Sequence, residues 1–394
     1  MIKALHMSNF KSLVQFRLPL PKFTVLIGMN GSGKTTILQA FDFVSQLMEG
    51  KVEQWLTSRS WSIGDLASKF SSSTNINGGV VYEWGGETLF WLQSLNRKEM
   101  ACLTESVSVY KNKNYDTDIF KVKDRHYKID DKESVPVTFT YQGSLLSQLR
   151  DSELTPPLKG LRDALKKIRS LELLSPHLMR QRTRDSTTDI GVGGERLSSF
   201  LHSFKGSSKG ELLEILRKFY PRVVDFKTSP TKGGWKRLSI TEDFDGKYVE
   251  SEVRHINDGL LRVLALIAQT KTDKSLLLFD EVENGVNPEI VEKLVEILVN
   301  ATQQIVVTTH SPMILNYLED DIARHSVMFV YKNPKGITRV RPFFSISGIG
   351  EKLEVMGAGE AFVDTDLVDL TKRCVALDEA EEFAQRAKIG KTKA

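Results

Sequence analysis

One stretch decides the fold of this chain: Phe23-Thr24-Val25-Leu26-Ile27-Gly28-Met29-Asn30-Gly31-Ser32-Gly33-Lys34-Thr35-Thr36. Its apolar first part is typical of a buried strand, its second part fits G-x-x-x-x-G-K-[ST] at every fixed position, and a helical pattern follows. The glycines let the loop approach a ligand closely, so that its N–H groups and the helix N-terminus form a nest for phosphate oxygens. The order of strand, loop and helix therefore predicts a nucleoside-triphosphate site rather than a glycine-rich surface turn.

Two side chains of this loop have distinct predicted roles in catalysis. Lys34 places a positive charge on the β- and γ-phosphates of ATP, and the hydroxyl of Thr35 is a ligand for Mg²⁺. The residues expected to contact the nucleotide are Asn30, Gly31, Ser32, Gly33, Lys34, Thr35 and Thr36.

The composition is that of an ordinary globular chain. Of its 394 residues 40% are hydrophobic and 26% charged, and the net charge of +4 is too small to indicate nucleic-acid binding by itself. Only Cys102 and Cys374 occur, so neither a disulfide framework nor a zinc site is expected. The N-terminus lacks a signal-peptide pattern, and no run reaches about 18 apolar residues. We therefore expect a cytoplasmic protein without a membrane partner.

Changes in pattern divide the chain into three predicted regions. Residues 1–141 form an N-terminal lobe, in which short β-branched and aromatic runs indicate an antiparallel meander. Residues 142–225 turn to helical spacing and are interpreted as a helical insertion. Residues 226–394 form a C-terminal lobe, where apolar runs at 276–279 and 304–308 alternate with helices and indicate a parallel sheet covered on both faces. The predicted fold class is α/β, with a mixed sheet.

Two acids follow the first of these apolar runs. A strand that is buried on both faces cannot hold unpaired carboxylates, so Asp280 and Glu281 are expected at its C-terminal end, where such sheets bind ligands. Asp280 can hold Mg²⁺ there, directly or through water, and Glu281 can orient and deprotonate an attacking water. The alternative is an ordinary Asp-Glu pair that opens a helix, and the upstream P-loop favours the catalytic interpretation.

Two further motifs are expected at the same nucleotide. The second apolar run ends in Thr308-Thr309-His310-Ser311-Pro312, which places His310 near the γ-phosphate as a polarising or sensing donor. Asn257, Asp258 and Gly259 open a long apolar helix, whose N–H groups and positive end can face an anion. Alone they are also a good turn and N-cap, and their place upstream of the two acids favours ligand contact.

In this order, the motifs resemble the ATPase heads of the ABC superfamily, in the branch that contains RecF, Rad50, SMC heads and the overcoming-lysogenisation-defect (OLD) ATPases. The run Asp280-Glu281-Val282-Glu283-Asn284-Gly285-Val286-Asn287-Pro288 is similar to the D-E-P-E-N-G-L-H-P run of AAA_21- and AAA_15-type proteins of bacterial defence systems. The resemblance implies a P-loop fold of ABC type, ATP hydrolysis, a signature motif at 256–259 and a D-loop at 284–287. It also implies a head-to-head homodimer, with ATP held between the P-loop of one copy and the signature helix of the other, and it leaves higher assemblies open.

The same resemblance implies a Q-loop glutamine at the metal. Gln142, which follows the meander, is the candidate for it, and the region of Arg180 competes for this assignment. Three positions depart from the family pattern: Asn257 stands in place of the signature serine, Val282 in place of proline, and Asn287 in place of the acid or histidine that ends the D-loop. We expect these departures to affect turnover more than ATP binding, since the amide of Asn257 still donates hydrogen bonds.

Spacing separates the functional alternatives. The chain between Lys34 and Asp258 lacks sustained heptads, which excludes a long coiled-coil tether, and we expect the chain after His310 to be too short for a nuclease domain. The sequence therefore predicts an ATP-dependent sensor or switch in anti-phage defence. Its partner would be a separate, co-encoded effector, a nuclease or a toxin.

The alternative is a RecF-like ATPase of DNA repair or recombination, with DNA as the partner. A basic cluster can be interpreted as a solvated face or as a contact site for the DNA backbone; it comprises Lys166, Lys167, Arg169, Arg180, Arg182 and Arg184. A transporter-coupled ATPase is a third class. The pattern Asn9-Phe10-Lys11 argues against it, because this pattern resembles the N-F-[KR]-[SC] opening of RecF and SMC heads.

Overall fold

A computed structural model describes residues 1–111, 115–172, 174–184, 189–230 and 232–392. The strands are β1 (Ile2–Ser8), β2 (Phe16–Pro19), β3 (Phe23–Ile27), β4 (Asn75–Trp84), β5 (Glu87–Asn96), β6 (Ala101–Lys111), β7 (Tyr115–Lys123), β8 (His126–Ile129), β9 (Val135–Pro136), β10 (Ile168–Leu171), β11 (Val223–Pro230), β12 (Lys236–Phe244), β13 (Lys247–Glu252), β14 (Leu276–Phe279), β15 (Gln304–Thr308), β16 (Val327–Lys332) and β17 (Thr338–Pro342). The α-helices are α1 (Lys34–Glu49), α2 (Val52–Ser58), α3 (Pro156–Lys166), α4 (Pro176–Met179), α5 (Leu197–His202), α6 (Ser207–Phe219), α7 (Asp258–Gln269), α8 (Pro288–Val299), α9 (Pro312–Asn316), α10 (Asp320–Ser326), α11 (Ala358–Val363) and α12 (Leu367–Thr392).

The central sheet has six strands in the order β10-β14-β15-β3-β16-β17. Neighbours from β10 to β16 run parallel, and β17 closes one edge antiparallel to β16. The parallel sheet predicted from the apolar runs is confirmed. The P-loop strand β3 lies between β15 and β16, and the C-terminal ends of all five parallel strands meet at one edge.

Both faces of the central sheet are covered by core. Val25 and Ile27 of β3 pack in the core that contains α7 and α8, whereas Leu26 packs in the core that contains α1. All three side chains are fully buried, and each such burial contributes roughly 2 kcal/mol. Because β14 is buried in the same way, its first acid, Asp280, comes only after the strand has ended at Phe279.

A second sheet of eight strands has the order β2-β1-β4-β5-β6-β7-β8-β9 and contains the predicted antiparallel meander. One of the β-branched and aromatic runs of the N-terminal lobe, at 135–141, forms only a two-residue strand, Val135–Pro136, which pairs with β8. Pro136 has no N–H with which to continue the ladder, and the N–H of Val137 donates to the carbonyl of Arg125, in the turn before β8. Tyr141 then donates a hydrogen bond to the carbonyl of Cys102.

The remaining elements complete the two cores. Helices α3 to α6 occupy much of the predicted helical insertion, and β11, β12 and β13 form a separate antiparallel sheet. The division into three regions stays a prediction, since the central sheet takes strands from each of them. The sequence analysis did not predict the long helix α12, which packs on the core through buried Leu370 and Cys374. Among the described residues, no helix is both long and apolar enough to cross a membrane.

Candidate active site

The P-loop joins β3 to α1 and is shaped by close contacts. A Cβ on Gly28, which has a φ of 144°, would lie 2.1 Å from the carbonyl oxygen of Val330. A Cβ on Gly33, the N-cap of α1, would lie 2.3 Å from Oγ1 of Thr338. The loop is therefore pressed against β16 and β17, and only glycine fits at these two positions.

The ammonium group of Lys34 lies inside the curl of the loop. Its Nζ donates hydrogen bonds to the carbonyl oxygens of Gly28, at 2.8 Å, and Met29, at 3.2 Å. Burial lowers the pKa of Lys34, and the nearby carboxylates of Asp280, Glu281 and Glu283 oppose this shift. A cation held at the centre of a glycine-rich cradle fits the phosphates of a nucleoside triphosphate.

Thr35 and Asp280 bring the two metal-binding candidates together. Oγ1 of Thr35 donates a 3.0 Å hydrogen bond to Oδ2 of Asp280, and Thr308 donates to the other oxygen. A hydroxyl and a carboxylate are hard oxygen ligands of the kind that Mg²⁺ prefers. The described residues contain no cluster of three or more His, Cys, Asp or Glu side chains that could hold a metal on its own. This donor set fits Mg²⁺ that is bound together with substrate phosphates.

Glu281 and His310 face each other beside this pair. Nε2 of His310 lies 3.8 Å from Oε1 of Glu281, and Nδ2 of Asn284 donates to Oε2 at 3.3 Å. Both side chains are partly open to solvent, with 38% of His310 and 47% of Glu281 exposed. The backbone of Glu281 has a φ of 45°, in the left-handed region that residues other than glycine seldom adopt.

Glu283 is a site residue to which the sequence analysis gave no role. Its Oε1 accepts hydrogen bonds from Oγ1 of Thr309 and from the backbone N–H groups of His310 and Ser311. It therefore fixes the loop that carries His310. Its position in the Asp-Glu-x-Glu run was the available signal, because a carboxylate so close to the buried strand needs donors nearby.

The prediction that Gln142 is a metal ligand is wrong. Its side chain exchanges hydrogen bonds with Glu53, just beyond the C-terminal end of α1, whereas the P-loop is at the N-terminal end. Because α1 has 16 residues, it is about 24 Å long, and Gln142 cannot reach a metal held by Thr35.

Glu172 lies beside the metal site, in the position that the sequence analysis predicted for Gln142. The parallel strands β10 and β14 pair Leu171 with Phe279, so the residues that follow, Glu172 and Asp280, leave the sheet side by side. Glu172 forms a buried ion pair with Arg59. Burial raises the pKa of Glu172, and the charge of Arg59 opposes this shift. Arg180, the other candidate for the Q-loop position, lies at the start of α7, where it donates to the carbonyl of Ile256.

The helix tip of α7 is built as an N-cap. Oδ1 of Asn257 accepts a 2.7 Å hydrogen bond from the N–H of Leu260, and Asp258 pairs with Arg180. A Cβ on Gly259 would lie 2.8 Å from the carbonyl oxygen of Gly285, so the tip rests on the segment after the two acids. Within the described parts of the chain, no hydrogen bond joins Asn257, Asp258 or Gly259 to the P-loop of the same chain.

Two family models match the chain, and together they cover more than half of it. The AAA_15 model, described as an AAA ATPase domain, matches residues 1–78, which include the P-loop. The AAA_21 model matches residues 143–316, which include Asp280, Glu281 and His310. It is an AAA domain, and its description names the AbiEii toxin and a Type IV TA system.

The individual relatives either match a short stretch of the chain or have low sequence identity to it. The OLD nuclease of Thermus scotoductus is 50% identical over 44 residues, which make up 11% of this chain and only 8% of that protein. An SMC head domain from Thermotoga maritima has 14% identity and a TM-score of 0.46, over 86% of this chain and 98% of its own. An SmcHead bound to the C-winged helix domain of ScpA has 15% identity and a TM-score of 0.49, over 86% of this chain and 96% of its own.

The matched models and the site agree with each other. One model is an AAA ATPase domain and the other an AAA domain, and the residues that they cover include the strands β3 and β14 with the P-loop and the acids at their C-terminal ends. From these matches and this site we conclude that the chain is an ATPase with AAA_15- and AAA_21-type domains, and it resembles the ABC-type ATPases of the RecF, Rad50, SMC and OLD branch.

Proposed function

We propose that two copies of this chain close head to head around Mg²⁺-ATP and that this closure works as a switch for a separate effector in bacterial anti-phage defence. One observation carries the dimer. Lys34, Thr35, Asp280, Glu281 and His310 gather at one edge of the sheet, while the Asn257–Gly259 tip rests on its own D-loop. The N-terminus of a helix is suited to a phosphate, and the nucleotide of a second copy would supply one to this tip.

Each site residue has a role in this proposal. Lys34 and the P-loop N–H groups bind the phosphates, with contacts from Asn30 to Thr36. Thr35 and Asp280 would hold Mg²⁺, which neutralises the charge that develops on the phosphates. Oε1 of Glu281 accepts the proton of the attacking water.

Two further contributions complete the proposed site. His310 donates a hydrogen bond towards the γ-phosphate. From the partner copy, the Asn257–Gly259 helix tip faces the same phosphate, so hydrolysis depends on dimerisation.

The role in defence is supported by two observations. The matched AAA_21 family is described with a toxin and a Type IV TA system. Four of the six cations in the basic cluster that could serve DNA are paired: Lys167 with Asp273, Arg169 with Asp189, Arg180 with Asp258 and Arg182 with Glu252. Paired cations leave less charge for a phosphate backbone, which disfavours the RecF-like alternative.

Two variants test the dimer. We expect Lys34→Ala to abolish ATP binding in calorimetry, and Glu281→Gln to accumulate as an ATP-bound dimer in light scattering, since binding is kept and turnover is lost. A Glu281→Gln chain that stays monomeric at saturating Mg²⁺-ATP would contradict the proposal.

The switch requires an effector that responds to nucleotide. We expect the product of a neighbouring gene to co-purify with the Glu281→Gln dimer and not with Lys34→Ala, or the reverse. ATP-dependent, salt-sensitive binding to DNA junctions with no nucleotide-dependent effector would instead favour the repair function.

A further inference from the structure

Arg262 links the tip of α7 to the turn that carries Glu281. Its Nη2 donates hydrogen bonds to two consecutive carbonyl oxygens, that of Asp280 at 3.1 Å and that of Glu281 at 3.0 Å. Arg262 lies one turn beyond Asp258 on the same helix face, since residues four apart share a face. One short helical segment therefore carries both the proposed trans contact and a clamp on the cis catalytic turn.

Hydrogen bonds hold the backbone of Glu281 from both sides. The two carbonyls that accept from Arg262 belong to the peptide groups immediately before and after the Cα of Glu281. On the other side, the N–H of Glu281 donates to Oγ1 of Thr308 at 2.9 Å. Residues in the left-handed region persist only where their surroundings hold them, and the φ of 45° at Glu281 is such a case.

The tip of α7 also packs closely against the D-loop, through Gly259. Gly259 approaches the D-loop so closely that a Cβ would come within 2.8 Å of the oxygen of Gly285 and 3.3 Å of the Tyr220 hydroxyl. The start of α7 therefore cannot shift without moving the D-loop, the hydrogen bonds of Arg262, or both.

We propose that Arg262 is a positioning residue that transmits the placement of the α7 tip to Glu281 of the same chain. The inference rests on the proposed head-to-head dimer. When the tip of one copy engages the nucleotide of its partner, Arg262 sets the catalytic turn of its own copy. The two sites of the dimer are thereby coupled, and each affects the rate at the other.

Arg262→Gln tests this coupling, with Arg217→Gln as a matched control. Arg217 also donates to two consecutive carbonyls, those of Val223 and Val224, but it is exposed on α6. We expect Arg262→Gln to bind ATP within about 3-fold of the wild-type Kd, to lose about 100-fold in kcat, and to hydrolyse ATP without cooperativity. Arg217→Gln should keep the wild-type kcat and cooperativity. Equal losses in both variants would overturn the inference.

A double-mutant cycle isolates the route through Glu281. If Arg262 acts only by placing this carboxylate, Arg262→Gln adds no further loss to the residual single-turnover rate of Glu281→Gln. A second loss of about 100-fold would show that the two residues act independently and would overturn the inference. If Arg262→Gln does not fold by circular dichroism, Arg262→Lys takes its place in the same cycle.

The same measurements separate this inference from the proposed dimer. A wild-type chain that hydrolyses ATP as a monomer contradicts the dimer, and with it the trans half of the coupling. An additive cycle in a wild type that dimerises and is cooperative contradicts only the role of Arg262.

Discussion

The hydroxyl of Thr35 and the carboxylate of Asp280 lie 3.0 Å apart although 245 positions separate them in the chain. The first follows β3 and the second follows β14, and β15 lies between these strands in the sheet. A direct hydrogen bond across an intervening strand means that both side chains lean over the same point of the sheet edge. We take that point as the place where Mg²⁺ would sit.

Removal of the Thr35 hydroxyl tests this assignment. Thr35→Val keeps the volume of the side chain but removes the oxygen, so we expect a loss of about 100-fold in the rate of ATP hydrolysis at saturating Mg²⁺. Thr57→Val, which removes a hydroxyl that donates to Glu53 on α2, should have no effect on the rate. A wild-type rate for Thr35→Val across a Mg²⁺ titration would contradict the metal site.

Two glycines of the P-loop should differ in their tolerance of alanine. At Gly28 a Cβ would meet the Val330 oxygen at 2.1 Å, and we expect Gly28→Ala to lower the free energy of unfolding by about 3 kcal/mol. A Cβ on Gly31 would have no atom within 4 Å apart from its chain neighbours. Gly31→Ala should therefore cost only about 1 kcal/mol, for an alanine in the left-handed backbone conformation. Urea denaturation compares the two, and equal losses would argue against the close approach to β16.

Glu105 makes the stability of the protein depend on pH. It is 1% exposed and accepts hydrogen bonds from Trp91, Ser144 and the N–H of Leu145. Burial raises the pKa of Glu105 from 4.5 to about 7, against these hydrogen bonds. The folded state therefore binds the proton more tightly than the unfolded state. The contribution of protonated Glu105 to the free energy of unfolding is fully present below pH 4.5 and is lost as the pH rises to about 7.

The expected loss is about 3 kcal/mol in the free energy of unfolding over this interval, at 1.36 kcal/mol for each pKa unit. Denaturation curves at several pH values measure it. Glu105→Gln should remove this part of the pH dependence, whereas the exposed Glu133→Gln should keep it. An unchanged pH profile in Glu105→Gln would assign the dependence to other groups.

Glu283 should matter for turnover and Gln142 should not. Glu283→Ala leaves Thr309, His310 and Ser311 without their common acceptor, so we expect His310 to shift and kcat to fall by about 100-fold while the Kd for ATP is kept. Gln142→Ala should leave both constants unchanged. The reverse result in steady-state kinetics would restore the original prediction for the glutamine.

The sequence predicted the parts of the site that are local and failed where the site is assembled at a distance. The P-loop and the Asp280-Glu281 pair are recognisable because each joins a strand to fixed chemistry within a few residues. The position beside Asp280 is filled by Glu172 because β10 pairs with β14, and no local pattern reports which strands are neighbours. The hydrogen bonds from Arg262 are not predictable from the sequence for the same reason, since they depend on how α7 packs against the sheet.

The helix α12 shows the same limit. Among the side chains of α12 that the structure describes, Leu370 and Cys374 are the fully buried apolar ones, and Asp378 also attaches the helix to the sheet by accepting from Tyr331 and Arg341. An apolar stripe is the signal by which a helix is usually predicted, and a helix attached through ions presents little of one.

The position of β3 has a consequence for how the protein is made. Strand β3 leaves the ribosome well before both of its partners, β15 and β16, since most of the other elements lie between them in the chain. The phosphate-binding loop cannot be seated until translation has passed Lys332, because Gly28 rests on Val330. We therefore expect chains that end before β16 not to bind nucleotide, because the loop has no surface on which to rest.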